Sequence, residues 1–222
     1  MKELLASIQR NAIGLGLFAI VTAGAIAIAQ VGTADRIAHN MRLAQSRALN
    51  EIIPANQYDN DLLTDVISVN RNFDTRLLGP LPDDASIHLA RHQGQVTTVI
   101  LPVVAPDGYT MEIGLLVGIH ADGRLAGVRV ISHRETPGLG DKIDLKKSDW
   151  VMAFNGKSLL SPAESAWAVK KDGGDFDQFT GATITPRAVV TAVKHALQFF
   201  EQHQTQLLGY PLPASASRVE NH

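Results

Sequence analysis

Nine consecutive residues, Asp177-Gln178-Phe179-Thr180-Gly181-Ala182-Thr183-Ile184-Thr185, hold the side chains in this chain best suited to chemistry on an anion. Three of them are threonines, and Gly181 and Ala182 are small enough for a ligand to come close to the backbone. A helix is expected directly afterwards. Thr185 is a good N-cap type, Pro186 suits the first helical position, and Val189, Val190, Val193, Ala196, Leu197 and Phe200 recur at helical spacing. A helix start presents N–H groups without intrahelical acceptors, together with the positive end of the helix dipole, so phosphate is the natural guest. The competing reading is a turn before a capped helix, with the threonines serving only as caps.

A second stretch, Glu135-Thr136-Pro137-Gly138-Leu139-Gly140, reads on its own as a surface turn. It could also receive a flat ring. Glycines let backbone amides approach ring carbonyls and nitrogens, Thr136 can donate or accept, and Leu139 can pack on a ring face. His133 and Arg134 precede it and read equally well as solvated surface.

Other polar groups are weaker candidates. His88 and His92 are four apart, a metal-type spacing on one helix face. With neither cysteine nor a carboxylate cluster beside them they read as an exposed pair, and no metal site is expected. His120, His195 and His203 stand alone, Asp59, Asp61, Asp83 and Asp84 read as loop residues, and Ser46, Ser161 and Ser165 lack a nucleophile-elbow or triad setting.

The elements that must position the two loops are legible around them. Gln95 to Val104, Thr110 to His120 and Leu125 to Ser132 are β-branched, apolar runs separated by Pro106-Asp107-Gly108 and Asp122-Gly123 turns, which predicts an antiparallel meander. Residues 55–92 are mixed, with a loop at Pro80 to Asp84. The first strong feature of the chain is apolar: from Asn11 to Val31 it reads NAIGLGLFAIVTAGAIAIAQV, with no charge between Arg10 and Asp35. As a helix this run spans about 31 Å, one hydrocarbon core. An uncleaved membrane anchor is expected. The rival is a cleaved signal peptide with a mature start near Gln30, since Lys2 and Arg10 make a basic beginning and Ala27-Ile28-Ala29 resembles a cleavage site. The apolar run exceeds the ~7–15 residues usual for such a peptide. Arg36, Arg42 and Arg47 follow the span, so the positive-inside rule does not orient it. The short N-terminal flank suits a cytoplasmic start.

The 222 residues hold no cysteine, which excludes disulfides, thiolate zinc, Cys-ligated iron–sulfur clusters and c-type haem. A net charge of −2 gives no basic surplus for nucleic acid. Any electron chemistry here needs an organic cofactor or a metal held without thiolates. The fold class expected is α+β: one N-terminal transmembrane helix, then one domain with an antiparallel sheet and flanking helices. The boundaries expected are 1–10 for the cytoplasmic N-terminus, 11–31 for the span, 32–54 for a helical stalk ended by Pro54, 55–208 for the folded domain and 209–222 for a disordered tail.

The loop from Asp177 resembles the flavinylation motif of the FMN-binding domain family: Asp, two variable residues, Ser or Thr, Gly, Ala, Thr. Asp177, Thr180, Gly181, Ala182 and Thr183 fill every fixed position. In that family the last threonine carries FMN as a phosphoester, made by a flavin transferase from FAD. The resemblance therefore implies covalent FMN on Thr183, with Asp177, Thr180, Gly181, Ala182 and Thr185 about it. Residues 135–140 resemble the ETPGLG loop of the same family, which implies FMN-binding roles for Glu135, Thr136, Gly138, Leu139 and Gly140.

The span, the β-rich middle and both loops together resemble the G subunits of Rnf (Rsx) electron-transport complexes over nearly the whole chain. The C subunits of Na⁺-pumping NADH:quinone oxidoreductases are close relatives; compactness, and Thr rather than Ser at position 180, favour the first. The resemblance implies an electron-relaying subunit in the bacterial inner membrane, its soluble domain in the periplasm. It implies membrane and peripheral partner subunits, and transfer between ferredoxin and NAD coupled to Na⁺ or H⁺ movement. Such a chain would not complete a turnover alone. A reading from another class is a membrane-tethered adaptor or sensor without cofactor.

Overall fold

The computed structural model of the protein describes residues 2–211. The described residues form two compact units, divided between Gln45 and Ser46.

The first unit is helix. The helix α1 runs from Lys2 to Ile52, and within it Ala12–Ala34 has a mean hydropathy of 2.3 with none of it buried in the protein. Such a segment is long and apolar enough to cross a membrane. Its two threonines return their hydroxyls to the helix: Thr22 donates to the Phe18 carbonyl at 2.8 Å and Thr33 to the Ala29 carbonyl at 2.7 Å. That satisfies groups that lipid could not. The helix stops at Ile52 because Pro54 disfavours helical geometry at the residue before it.

The second unit is built on a five-stranded sheet in the order β1-β2-β3-β4-β5, antiparallel at every pairing. The strands are β1 (Val66–Ser68), β2 (Ser86–His92), β3 (Gln95–Ala105), β4 (Ile113–His120) and β5 (Leu125–Ser132). A one-turn helix α2 (Val69–Asn72) follows β1, and a long helix α3 (Ile184–Leu208) closes the domain. The α+β class and the meander over β3–β5 are as the sequence predicts. The first two strands are additions, drawn from the stretch that reads as mixed. Gln93 and Gly94 join β2 to β3 with φ of 52° and 79°, the two positive values a tight hairpin turn requires.

This placement corrects the helix-face reading of His88 and His92. They lie on β2, and His88 is 4% exposed with Nδ1 2.7 Å from the Leu62 carbonyl. Among the described residues no group of His, Cys, Asp or Glu is arranged to hold a metal.

Strand alternation splits the core in two. Ile87, Leu89, Val99, Leu101, Leu115 and Val117 face α3, which returns Val189, Val193, Ala196, Leu197 and Phe200. On the other face Ala90, Ile100 and Leu116 meet Leu49, Ile52, Ile53 and Leu62. Gly118 makes room there, since a Cβ on it would lie 2.3 Å from Ile52 Cγ2. Of the tail expected over 209–222, the first residues are described: Arg91 donates to the carbonyls of Tyr210 and Pro211 at 3.0 and 3.1 Å. The remaining positions, 212–222, lie outside the described residues.

Candidate functional site

Phe179 anchors the threonine-rich loop. It is buried, 5.2 Å from Trp150 between ring centroids, beside an aromatic group that includes Phe154, Phe176 and Trp167. The indole N–H of Trp150 donates to the Asp177 carbonyl at 2.7 Å, and the Asp177 carboxylate sits 2.6 Å from Lys170 Nζ. The chain then reverses. Ala182 N–H donates to the Phe179 carbonyl at 3.1 Å, and Gly181 takes φ +82° at the third residue of the turn. A turn with positive φ at that position calls for glycine. Thr180 stands exposed at the tip.

After this turn α3 begins, and here the structure corrects the expected start. Helix geometry opens at Ile184 with Thr183 in the cap position, so Thr185 and Pro186 lie in the first turn. Proline is harmless there because the first N–H groups of a helix lack intrahelical acceptors anyway. Thr183 has φ −79° and ψ −27°, and its hydroxyl makes no capping bond. The N–H groups of Ile184 and Thr185 find no acceptor among the described residues. Thr185 is fully buried and sends its hydroxyl to Glu135 Oε2 at 2.5 Å rather than capping the helix.

Glu135 brings the second loop to this helix start. It is 4% exposed, and its Oε1 accepts the N–H of Thr110, on the connection between β3 and β4, at 3.1 Å. His133 Nδ1 receives the Glu135 N–H at 3.2 Å, which gives that histidine a local structural task. Gly140 packs against the pair: a Cβ on it would lie 2.8 Å from Glu135 Oε2 and 2.9 Å from Thr185 Oγ1. Gly138 has φ +79° and donates its N–H to Asp141 Oδ1 at 2.8 Å, shaping the loop from behind.

The two loops and the helix start enclose a cleft of about 180 Å³. Glu135, Thr136, Leu139 and Gly140 line one side, and Gly181, Ala182, Thr183 and Thr185 the other. Asp177, Thr180 and Gly138 are outside the lining; Asp177 and Gly138 hold the loops, and Thr180 faces solvent. Tyr109 and Ile184 complete the wall, and neither stands out in the sequence. Ile184 could have been inferred from its place beside Thr183. Tyr109 gives no local signal beyond following the Pro106-Asp107-Gly108 turn.

One ion pair lies just beyond the cleft lining. Arg187, on the first turn of α3, holds Asp172 with bonds of 2.7 and 3.0 Å, and the guanidinium keeps that carboxyl below its ordinary range. Chemically the cleft combines a threonine hydroxyl that makes no capping bond and bare helix N–H groups with three exposed, largely apolar side chains, Tyr109, Leu139 and Ile184. Such a site can take a phosphate on a flat, largely apolar body.

Residues 108–198, which contain both loops, match the FMN-binding domain family, and residues 1–52 match the RnfG N-terminal region. The chain is 53% identical to the G subunit of the ion-translocating oxidoreductase complex of Pseudomonas aeruginosa, over 91% of this chain and 92% of that one. It is 46% identical to the protein of the same name in Vibrio cholerae, over 95% and 98% of the two chains. The Shewanella loihica protein of that name is likewise 46% identical, over 92% and 95%.

Proposed function

The chain belongs to the family of G subunits of ion-translocating oxidoreductase complexes, and from that premise we propose that it carries electrons through an FMN held covalently on Thr183. The observation that carries this reading is the Thr183 hydroxyl: it occupies a helix cap, lines the cleft and makes no capping bond. The residues present fit FMN. The N–H groups of Ile184 and Thr185 suit its phosphate, and the exposed side chains of Tyr109, Leu139 and Ile184 suit its ring.

FMN supplies what no side chain of this cysteine-free protein can, the acceptance of two electrons and their release one at a time. The protein's part is retention and orientation. Thr183 Oγ would hold the FMN phosphate as an ester, with FAD as the donor and AMP as the leaving group. A link through phosphate leaves the ring electronics untouched and keeps the cofactor in a cleft open to solvent. Gly181 and Ala182 allow the close approach, while Glu135, Thr136, Leu139 and Gly140 form the facing wall.

In this reading α1 anchors the chain in the bacterial inner membrane with the flavin domain in the periplasm. Membrane and peripheral subunits deliver and remove the electrons, between ferredoxin and NAD, coupled to Na⁺ or H⁺. The isolated chain does not turn over by itself.

The test is to express the full chain with an active flavin transferase, alongside Thr183→Val, and to run both denatured on a gel. The reading expects flavin fluorescence and the added mass of FMN in the wild-type band and neither in the variant. A dark wild-type band, with the transferase active on a control substrate, sinks the assignment of Thr183.

A further inference from the structure

Tyr109 belongs to neither motif loop, yet its side chain lines the cleft and is 67% exposed. The backbone holding it is closely constrained. The next residue, Thr110, donates its N–H to Oε1 of the buried Glu135, and the other oxygen of that carboxylate accepts the hydroxyl of Thr185. One carboxylate therefore ties the Tyr109 loop to the helix start beside Thr183. The preceding residue is confined as well: a Cβ on Gly108 would lie 2.0 Å from the Met111 carbonyl oxygen and 3.2 Å from Glu135 Oε1. An aromatic side chain on a fixed loop, left largely uncovered in the lining of a cleft, is how binding sites present rings to ligands. Leu139 and Ile184, also exposed, line the same cleft.

We infer that Tyr109 is the aromatic contact for the isoalloxazine ring of the flavin, held in place by the Glu135–Thr110 hydrogen bond. The inference rests on flavin attachment at Thr183. The phenol ring covers part of the flavin face or edge, shields it from water and helps set how the ring lies relative to the phosphate anchor. A tyrosine in van der Waals contact with oxidised flavin also quenches its fluorescence by donating an electron to the excited state. The contact therefore has a spectroscopic signature distinct from any effect on stability.

The experiment uses the full chain matured with an active flavin transferase, as wild type, Tyr109→Phe and Tyr109→Leu. Flavin loading is read by intact mass, and flavin fluorescence lifetime and iodide quenching are measured on the native proteins. Because Tyr109 is mostly exposed, the substitutions leave the core intact. Lifetime does not depend on how much protein is loaded, so partial loading leaves the readout valid. The expected result is a severalfold longer lifetime in both variants, with easier iodide access in Tyr109→Leu. Loaded variants with the wild-type lifetime overturn the Tyr109 contact and leave attachment at Thr183 standing. A wild-type chain that accepts no flavin from an active transferase overturns both.

Discussion

The hydroxyl of Thr185 donates to Oε2 of Glu135 at 2.5 Å, joining two buried residues that lie 50 positions apart in the chain. A hydroxyl donating to a carboxylate oxygen makes a charge-assisted hydrogen bond, stronger than one between neutral groups. It locks the second loop against the start of α3 and so defines the width of the cleft. Thr185→Val keeps the shape and removes the donor. Leaving a buried carboxylate oxygen unsatisfied costs about 1–3 kcal/mol, so the variant is expected to unfold at lower urea and to load less flavin. Thr185→Ser, which restores the hydroxyl, is expected to recover most of both.

The glycines of the second loop separate packing from backbone strain. Gly140→Ala drives a methyl into Glu135 and Thr185, and overpacking of that kind costs about 1–3 kcal/mol. Gly138→Ala meets nothing within 4 Å but must hold φ +79°, a cost of about 1–2 kcal/mol. Similar losses of stability are thus expected, with a difference in function. Gly140→Ala, at the cleft wall, is expected to lower flavin loading, and Gly138→Ala, behind it, to leave loading near wild type. Equal loading in the two variants would show that the Gly140 packing does not shape the site.

Arg91 and Asp65 form an ion pair of 2.7 Å with side-chain exposures of 3% and 7%. Asn60 supports it from Nδ2 to Asp65 Oδ2 at 2.9 Å. Removing one partner strands a buried charge, which costs about 3–5 kcal/mol. Arg91→Met is expected to lose that much in equilibrium unfolding. It is also expected to speed proteolysis near the C-terminus, because Arg91 holds the carbonyls of Tyr210 and Pro211. A variant as stable and as resistant as wild type would contradict the pair's importance.

Burial holds the His88 imidazole below its ordinary pKa of 6.5, and its hydrogen bond with the Leu62 carbonyl opposes the shift only in part. The unfolded chain therefore takes up this proton at a higher pH than the native one. Stability from this group is complete above pH 6.5 and declines as the pH falls from there through the lower native value. His88→Asn keeps an N–H near the Leu62 carbonyl without a titrating ring. It is expected to flatten the pH dependence of unfolding over that window, even though the smaller side chain lowers stability throughout. An unchanged slope would assign the acid sensitivity to other groups.

Features carried by a few neighbouring residues are legible in the sequence alone. The apolar length of Asn11 to Val31, the alternation and turns around β3 to β5, and the small-residue loop into α3 are local patterns, and each appears in the fold. The boundaries of β5, Leu125 to Ser132, match those expected. β4 begins at Ile113 rather than Thr110, whose N–H is taken by the Glu135 carboxylate instead of a strand partner. β2 is not legible in this way: in Ser86-Ile87-His88-Leu89-Ala90-Arg91-His92 both histidines and the arginine look like surface residues. They sit in a strand only because β1 and β3 pair on either side and Asp65 receives Arg91. Tyr109 is silent for the same reason.

By itself the sequence determined the membrane-length helix, the class of the domain and the two loops that hold the candidate chemistry. Only the tertiary structure decided that Thr183, and not Thr185, stands at the cap with its hydroxyl unbonded, that Glu135 joins three separate segments, and that Tyr109 faces the same cleft. The physical reason is range. Periodicity and turn chemistry act over a few residues, whereas the partner of a buried hydroxyl or carboxylate is chosen by packing across the whole domain.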